Sequence, residues 1–411
     1  MISVNKIIYI LICLFLIVNY FLTTEFTFII SFIAVLVSFW GRGFTGYHRE
    51  IITVPALFIL LGLINCLGNK SELIFKDFYY FLNPIIVFSF GYISAYYISI
   101  TKFFRIIILL GVFLGLVYIL NHNWSGITSV NAFHQEEGVA SYIVIIALVI
   151  LILKIFKKEY FFPKHVSWIF IAILSITCII AVSRTFLLIF IILIITGSGQ
   201  LKFEKYFVMK FIFFILSISI ATFFIINFQS ADRSSFVGKL LYSANEVSIS
   251  NYNNLSEINN NWRGFEAYKG LEQINRGTLL ELFIGQGFGT STPLGIEIKL
   301  GDEYFTEIPY FHNGYITLLI KTGIIGLFLY LIFIIKMCIV NLKDKLNFDE
   351  DYDFCRNIIP GLAMVLLLTT YIISGWLNKI TLAPVIFSLG YFISAKVNIK
   401  NFYNAMANAK D

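Results

Sequence analysis

Long apolar runs separated by short polar breaks dominate the chain. Twelve of them, near 6–22, 26–40, 51–67, 78–99, 103–120, 139–156, 166–182, 185–199, 208–228, 313–335, 357–376 and 380–396, approach the length of a membrane-spanning helix, for which a hydrocarbon core about 30 Å thick needs roughly 20 apolar residues. The pattern predicts an all-α membrane protein with about twelve transmembrane helices. The first run has Lys6 before it and no small-residue cleavage site after it, so it is expected to stay as an anchor and not to be removed as a signal peptide. One stretch breaks the pattern. Residues 229–312 are mostly polar over 84 positions, far beyond an ordinary connection. The part from Ser243 to Asn261 is rich in Asn and Ser and reads as loop. After it Trp262, Phe265, Tyr268, Leu271 and Ile274 recur every three residues, which predicts an amphipathic helix near 262–275; aromatic residues at its start suit the membrane interface. The chain therefore divides into helices 1–9 over 1–228, a large loop over 229–312, and helices 10–12 with a tail over 313–411, all within one integral membrane domain. No inverted repeat of the transporter kind is detected.

Basic residues set the orientation. With the N-terminus in the cytoplasm, inner segments carry 19 of the 30 basic residues, while the short outer loops hold only Lys70, Lys76, Arg184 and Lys379. Shifting the frame by one span destroys this asymmetry, so the positive-inside rule puts both termini in the cytoplasm and the 229–312 loop outside. Composition agrees: 58% of the 411 residues are hydrophobic and 13% charged, against roughly 45–50% and about 25% in soluble domains. A soluble enzyme, a secreted disulfide scaffold and a disordered chain are excluded. The net charge of +6 comes from scattered residues that form no stripe, so no nucleic-acid partner is expected. Cys13, Cys66, Cys178, Cys338 and Cys355 sit in or beside apolar runs and read as reduced structural residues.

Candidate chemistry gathers toward the outer face. Arg184, in Ser183-Arg184-Thr185, sits between two apolar runs, where it either snorkels to the interface or grips an anion through its guanidinium. Arg263 follows Trp262, with Glu266 one turn on; the plain reading is an exposed i,i+3 ion pair, the sharper one an anion site. Arg276, before Gly277, reads as a helix end. His312 and Asn313 stand where the loop enters the tenth span, and the histidine is either an aromatic anchor or a proton-transfer group. Lys321 lies nine residues further on, roughly 13 Å deep in a regular helix and on the face opposite His312. It is either functional by virtue of its depth or a lysine reaching into a wet groove. His122 and His134, with Gln135-Glu136-Glu137, read as a solvated loop. Gly285-x-Gly287-x-Gly289 lacks the spacing of a dinucleotide fingerprint and reads as a flexible turn. No His, Cys or Asp group has metal-ligand spacing, and neither metal nor cofactor is expected.

Three of these segments, in this order, resemble one family. Ser183-Arg184-Thr185-Phe186-Leu187-Leu188 looks like its Ser/Thr-Arg motif. Trp262-Arg263-Gly264-Phe265-Glu266-Ala267 followed by Ile284-Gly285-Gln286-Gly287-Phe288-Gly289 looks like its arginine helix and glycine turn. Phe311-His312-Asn313-Gly314-Tyr315 and Lys321-Thr322-Gly323-Ile324-Ile325-Gly326 are similar to its His-Asn and Gly-x-x-Gly span. The family is the bacterial O-antigen polymerase and O-antigen ligase superfamily, and the resemblance is strongest over 180–335. One departure stands out: the position of Lys321 is commonly acidic there. The resemblance implies a metal-independent glycosyltransferase at the periplasmic face of the inner membrane, acting on polyprenyl-pyrophosphate-linked oligosaccharide, with a chain-length regulator and a flippase of the same pathway as partners. It implies Arg184 and Arg263 on the pyrophosphate, His312 at the incoming sugar hydroxyl, and substrate contacts from Asn313, Glu266 and Lys321. A polymerase is the expected activity; a ligase that delivers the glycan to lipid A-core, and a lipid-linked sugar flippase or transporter, are the alternatives.

Overall fold

The computed structural model describes residues 3–42, 49–121, 141–181, 184–199, 248–250, 252, 254–300, 303–377 and 381–409. The expected span 208–228 and the loop histidines His122 and His134 lie outside them. Among the described residues the chain is mostly helical, with α1 (Val4–Phe21), α2 (Thr24–Arg42), α3 (Arg49–Ile64), α4 (Ser71–Tyr97), α5 (Ile100–Asn121), α6 (Ile143–Phe156), α7 (Lys164–Ile180), α8 (Arg184–Gly197), α9 (Leu255–Asn260), α10 (Trp262–Arg276), α11 (Leu279–Ile284), α12 (Gly314–Lys343), α13 (Glu350–Ile373) and α14 (Ala383–Asn408). Five of these, α1, α4, α5, α12 and α13, are long and apolar enough to cross a membrane, and five shorter apolar helices, within α2, α3, α6, α7 and α8, accompany them. That is the make-up of a multi-pass membrane protein.

α2 shows how the sequence suits lipid. Its inward face is made of Thr24, Thr27, Ser31, Ala34, Val35 and Ser38, while Phe26, Ile29, Phe32, Ile33 and Leu36 stand exposed. The inward hydroxyls bond back to the helix's own carbonyls, Thr27 Oγ1 to Thr24 O and Ser31 Oγ to Thr27 O at 2.7 Å each, so no polar group is left facing the neighbours unsatisfied. Small inward residues let helices approach where burial from water no longer drives them together. The α4–α14 crossing uses the same device: a Cβ on Gly91 would meet Phe387 O at 1.9 Å. Around it the rings of Phe103 and Tyr391 stack at 3.6 Å.

Two expectations need correction. The fold is not purely α: β1 (Thr292–Leu300) and β2 (Glu303–Ile308) form an antiparallel hairpin. Leu294 and Ile298 point inward from β1 and Ile308 from β2, the period-two pattern of a half-buried strand. In addition, Leu255–Asn260, expected as loop, is the short helix α9. The helix expected near 262–275 is present as α10, but its apolar stripe does not face lipid. Phe265 and Ala267, with Trp262, Leu271 and Ile274 beside them, close a second hydrophobic core with Ile258, Leu294, Ile298, Ile308, Phe311, Ile316 and Ile320. This core seats the segment from α9 to β2 on the first turns of α12.

Candidate functional site

The three motifs meet at the end of the bundle where α12 begins. Arg184 is the first residue of α8; its side chain and Ser183 lie outside the described residues. Thr185 bonds to Tyr142 at the start of α6, and the same tyrosine lies within electrostatic reach of Arg263, which stands half-buried in the first turn of α10. Tyr142 thus links the first motif to the second.

Glu266 links the second to the third. One turn along α10 from Arg263, its side chain is 4% exposed, and Oε2 lies 2.8 Å from Nδ1 of His312. The backbone N–H of His312 donates to the same oxygen at 3.2 Å. The two contacts to one carboxyl oxygen fix the orientation of the imidazole and turn Nε2 away from Glu266. The imidazole is 49% exposed, so the ring stands half open while its carboxyl partner is buried. The other side of the His312 peptide is fixed as well. Ser374, ending α13 at φ 66°, donates its N–H to His312 O at 2.6 Å, and its hydroxyl reaches Phe311 O at 2.9 Å. Beside it burial pushes the Tyr310 hydroxyl well above its ordinary range; it donates to Leu377 O at 2.9 Å. The arrangement is an oriented imidazole backed by a buried carboxyl, with a cation one helical turn away.

Asn313 and Lys321 both have structural partners. Asn313 caps α12, its Oδ1 accepting from the N–H of Tyr315 and Ile316 at 3.0 and 3.4 Å, so it supplies an N-cap. His312 therefore precedes the helix and does not share it with Lys321. Nor does Lys321 reach a wet groove: it is 0% exposed, with Nζ 2.6 Å from Asp77 Oδ2 on α4 and a second bond to Thr290 O. Asp77 Oδ2 also accepts the Gly289 N–H at 2.7 Å. An isolated charge could not stay in such a place; together the two side chains pin the glycine turn between α4 and α12.

That turn is packed, not flexible. Gln286 N–H donates to Ile320 O and Phe288 N–H to Gly62 O, each at 2.7 Å. Gly285 (φ 84°) lies against the Lys321–Thr322 peptide. α12 in turn breaks its helical path at Gly323 (φ 67°, ψ −171°), where a Cβ would stand 2.3 Å from Phe283 O. Only glycine fits two backbones this close at positive φ.

No protein-family model matches the chain, and no curated protein matches it. The site rests on its own geometry.

Residue patterns had missed Asp77, Asn69 and Ser374. Asp77 directly precedes the apolar run that starts at 78, whereas α4 begins at Ser71. A carboxylate two turns inside a helix pairs naturally with an intramembrane lysine, and that pairing was the available signal. Asn69 and Ser374 act through backbone groups distant in sequence, for which one sequence carries no mark.

Proposed function

We propose that this chain is a polysaccharide polymerase of the O-antigen type, transferring a polyprenyl-pyrophosphate-linked glycan onto a lipid-linked repeat unit at the periplasmic face of the inner membrane. The observation that carries the reading is the Glu266–His312 contact at 2.8 Å, which joins two of the three motifs resembling that family and turns Nε2 of the imidazole away from Glu266. The topology in this reading is twelve spans, both termini in the cytoplasm and the 229–312 loop outside.

In the proposed reaction the acceptor hydroxyl oxygen bonds to the anomeric carbon of the donor as the bond from that carbon to the pyrophosphate oxygen breaks. The hydroxyl proton passes to His312 Nε2, and Glu266 steadies the imidazole as it becomes positive. The departing polyprenyl pyrophosphate gains negative charge, which the guanidiniums of Arg184 and Arg263 are suited to hold. Asn313, Lys321 and Ser374 are positioning residues in this scheme.

The test uses the purified protein in nanodiscs with its lipid-linked repeat unit and no added metal. A ladder of lengthened lipid-linked glycans is expected. His312→Ala and Arg263→Ala should each lower the rate about 100-fold or more, and Glu266→Gln less. Transfer that begins only on addition of lipid A-core would make the protein a ligase. Wild-type rates from both alanine variants would remove these residues from the reaction, and silence with a competent substrate would favour transport.

A further inference from the structure

About two turns along α10 from the Glu266–His312 contact, a polar cavity of about 590 Å³ opens between α10, α11, the glycine turn and the α3–α4 connection. That lies within the roughly 300–1,000 Å³ of small-molecule sites. Four amide side chains line it: Asn65, Asn69, Gln273 and Gln286. Each commits one end to the protein. Asn65 Nδ2 donates to Gly285 O at 2.7 Å, Asn69 Nδ2 to Phe288 O at 2.8 Å, and Gln273 Nε2 to Gln286 Oε1 at 2.6 Å. Of the opposite ends, Oε1 of Gln273 is buried without a hydrogen-bond partner among the described residues; Oδ1 of both asparagines and Nε2 of Gln286, on half-buried side chains, make no hydrogen bond among them. Thr292, only 1% exposed and also on the cavity wall, has an equally unpartnered buried Oγ1. Buried polar atoms without partners are uncommon, and two of them, beside three further open amide ends on the same cavity, call for a ligand rich in hydroxyls.

Charge narrows the choice. The two cations on the wall, Lys269 and Arg276, both bond Glu272, and Glu281 is taken up in the cap of its own helix at Thr278. The charges are matched, and the open amide atoms are mostly acceptors, which suits a neutral polyol and repels phosphate. The rim indicates how such a ligand arrives. Leu67 and Leu280, both lining the mouth, are 91% and 62% exposed, and Leu279 and Phe283 extend the apolar strip along α11. A strip of this kind belongs at the lipid boundary.

We propose that this cavity binds neutral sugar rings of the lipid-linked glycan, with the amides on the hydroxyls and the Leu67–Leu280 rim toward the lipid. The assignment rests on the glycan-transferase reading above, and names a sugar site apart from the arginine and histidine groups.

Saturation-transfer NMR on the intact protein in nanodiscs, with N,N′-diacetylchitobiose and maltose as probes, tests it. At least one disaccharide should receive saturation, inorganic pyrophosphate should not displace it, and binding should weaken about tenfold both in Gln273→Leu, on the scale of one lost hydrogen bond, and in Leu280→Trp, whose larger ring crowds the rim. Leu280 is exposed, so its variant carries the test should Gln273→Leu fail to fold. Equal binding by wild type and a folded variant would remove the cavity as the site and leave the transferase proposal standing. Displacement by pyrophosphate would overturn it by making the site anionic in preference. Absence of binding by either disaccharide also overturns it; if glycan laddering occurs in the same preparation the transferase reading survives, and if not, both fall.

Discussion

α2 and α10 have the same helical period and opposite dress. α2 turns Thr27, Ser31 and Ser38 inward and shows Phe26, Phe32 and Leu36 outward; α10 buries Phe265 and Ala267 and leaves Asn275 and Arg276 exposed. The first is built for a solvent as apolar as its own side chains, where small residues and satisfied hydroxyls make the contact. The second is built for water, where burying a phenyl ring is the driving force. One chain therefore holds two kinds of core, and the polar link between them is the Asp77–Lys321 pair with the glycine turn that it grips.

Breaking that link should have the largest effect. Lys321→Met leaves the Asp77 carboxyl buried without its ammonium, a loss of about 3–5 kcal/mol, visible as a fall in thermal midpoint and monodisperse yield. Adding Asp77→Asn should recover most of it; a single variant as stable as the double would mean that the pair does not hold the two parts together. The two cores can then be set against each other. Phe265→Ala should cost about 3–5 kcal/mol and melt the outer segment, whereas Phe32→Ala, at a side chain already 42% exposed, should leave the midpoint nearly unchanged; equal losses would erase the distinction. Gly323→Ala should cost about 1–3 kcal/mol through positive-φ strain and its clash with Phe283 O, measured as faster hydrogen exchange over 279–290.

The smallest effect concerns pH. Hydrogen bonds from Lys70 and Ser291 hold the Glu307 carboxyl below the usual range. The stability it lends the hairpin is complete above the ordinary glutamate pKa and disappears as pH falls through the lowered folded value. Because Lys70 and Glu307 are 65% and 40% exposed, screening keeps this below about 1 kcal/mol. Lys70→Met should flatten the acid limb of hairpin protection, and an unchanged acid limb would discount the pair.

Legibility in the sequence follows the same division. Lipid-facing helices announce themselves because length and hydropathy suffice; α1, α5, α12 and α13 cover their apolar runs closely. α10 was readable from its three-residue recurrence, though not the surface it covers. The hairpin was readable in principle, since Leu294, Ile296 and Ile298 alternate with polar or small residues, but a strand in a helical chain is easily passed over. Of the site, Arg263, Glu266 and His312 were legible as residue types near a membrane boundary. That Glu266 turns to His312 was not, because a bond across 46 positions depends on where the second core seats α10.

The pairing of Asp77 with Lys321 spans 244 residues, and this sets a timetable for biosynthesis. At about 5–20 residues per second, roughly 10–50 s pass between the synthesis of the carboxylate and of its ammonium. Over that interval the Asp77 carboxyl is without its ammonium, and the turn from 285 to 289, itself made late, has no Lys321 to grip it. The clasp of α4, the turn and α12 therefore closes only when the late span arrives.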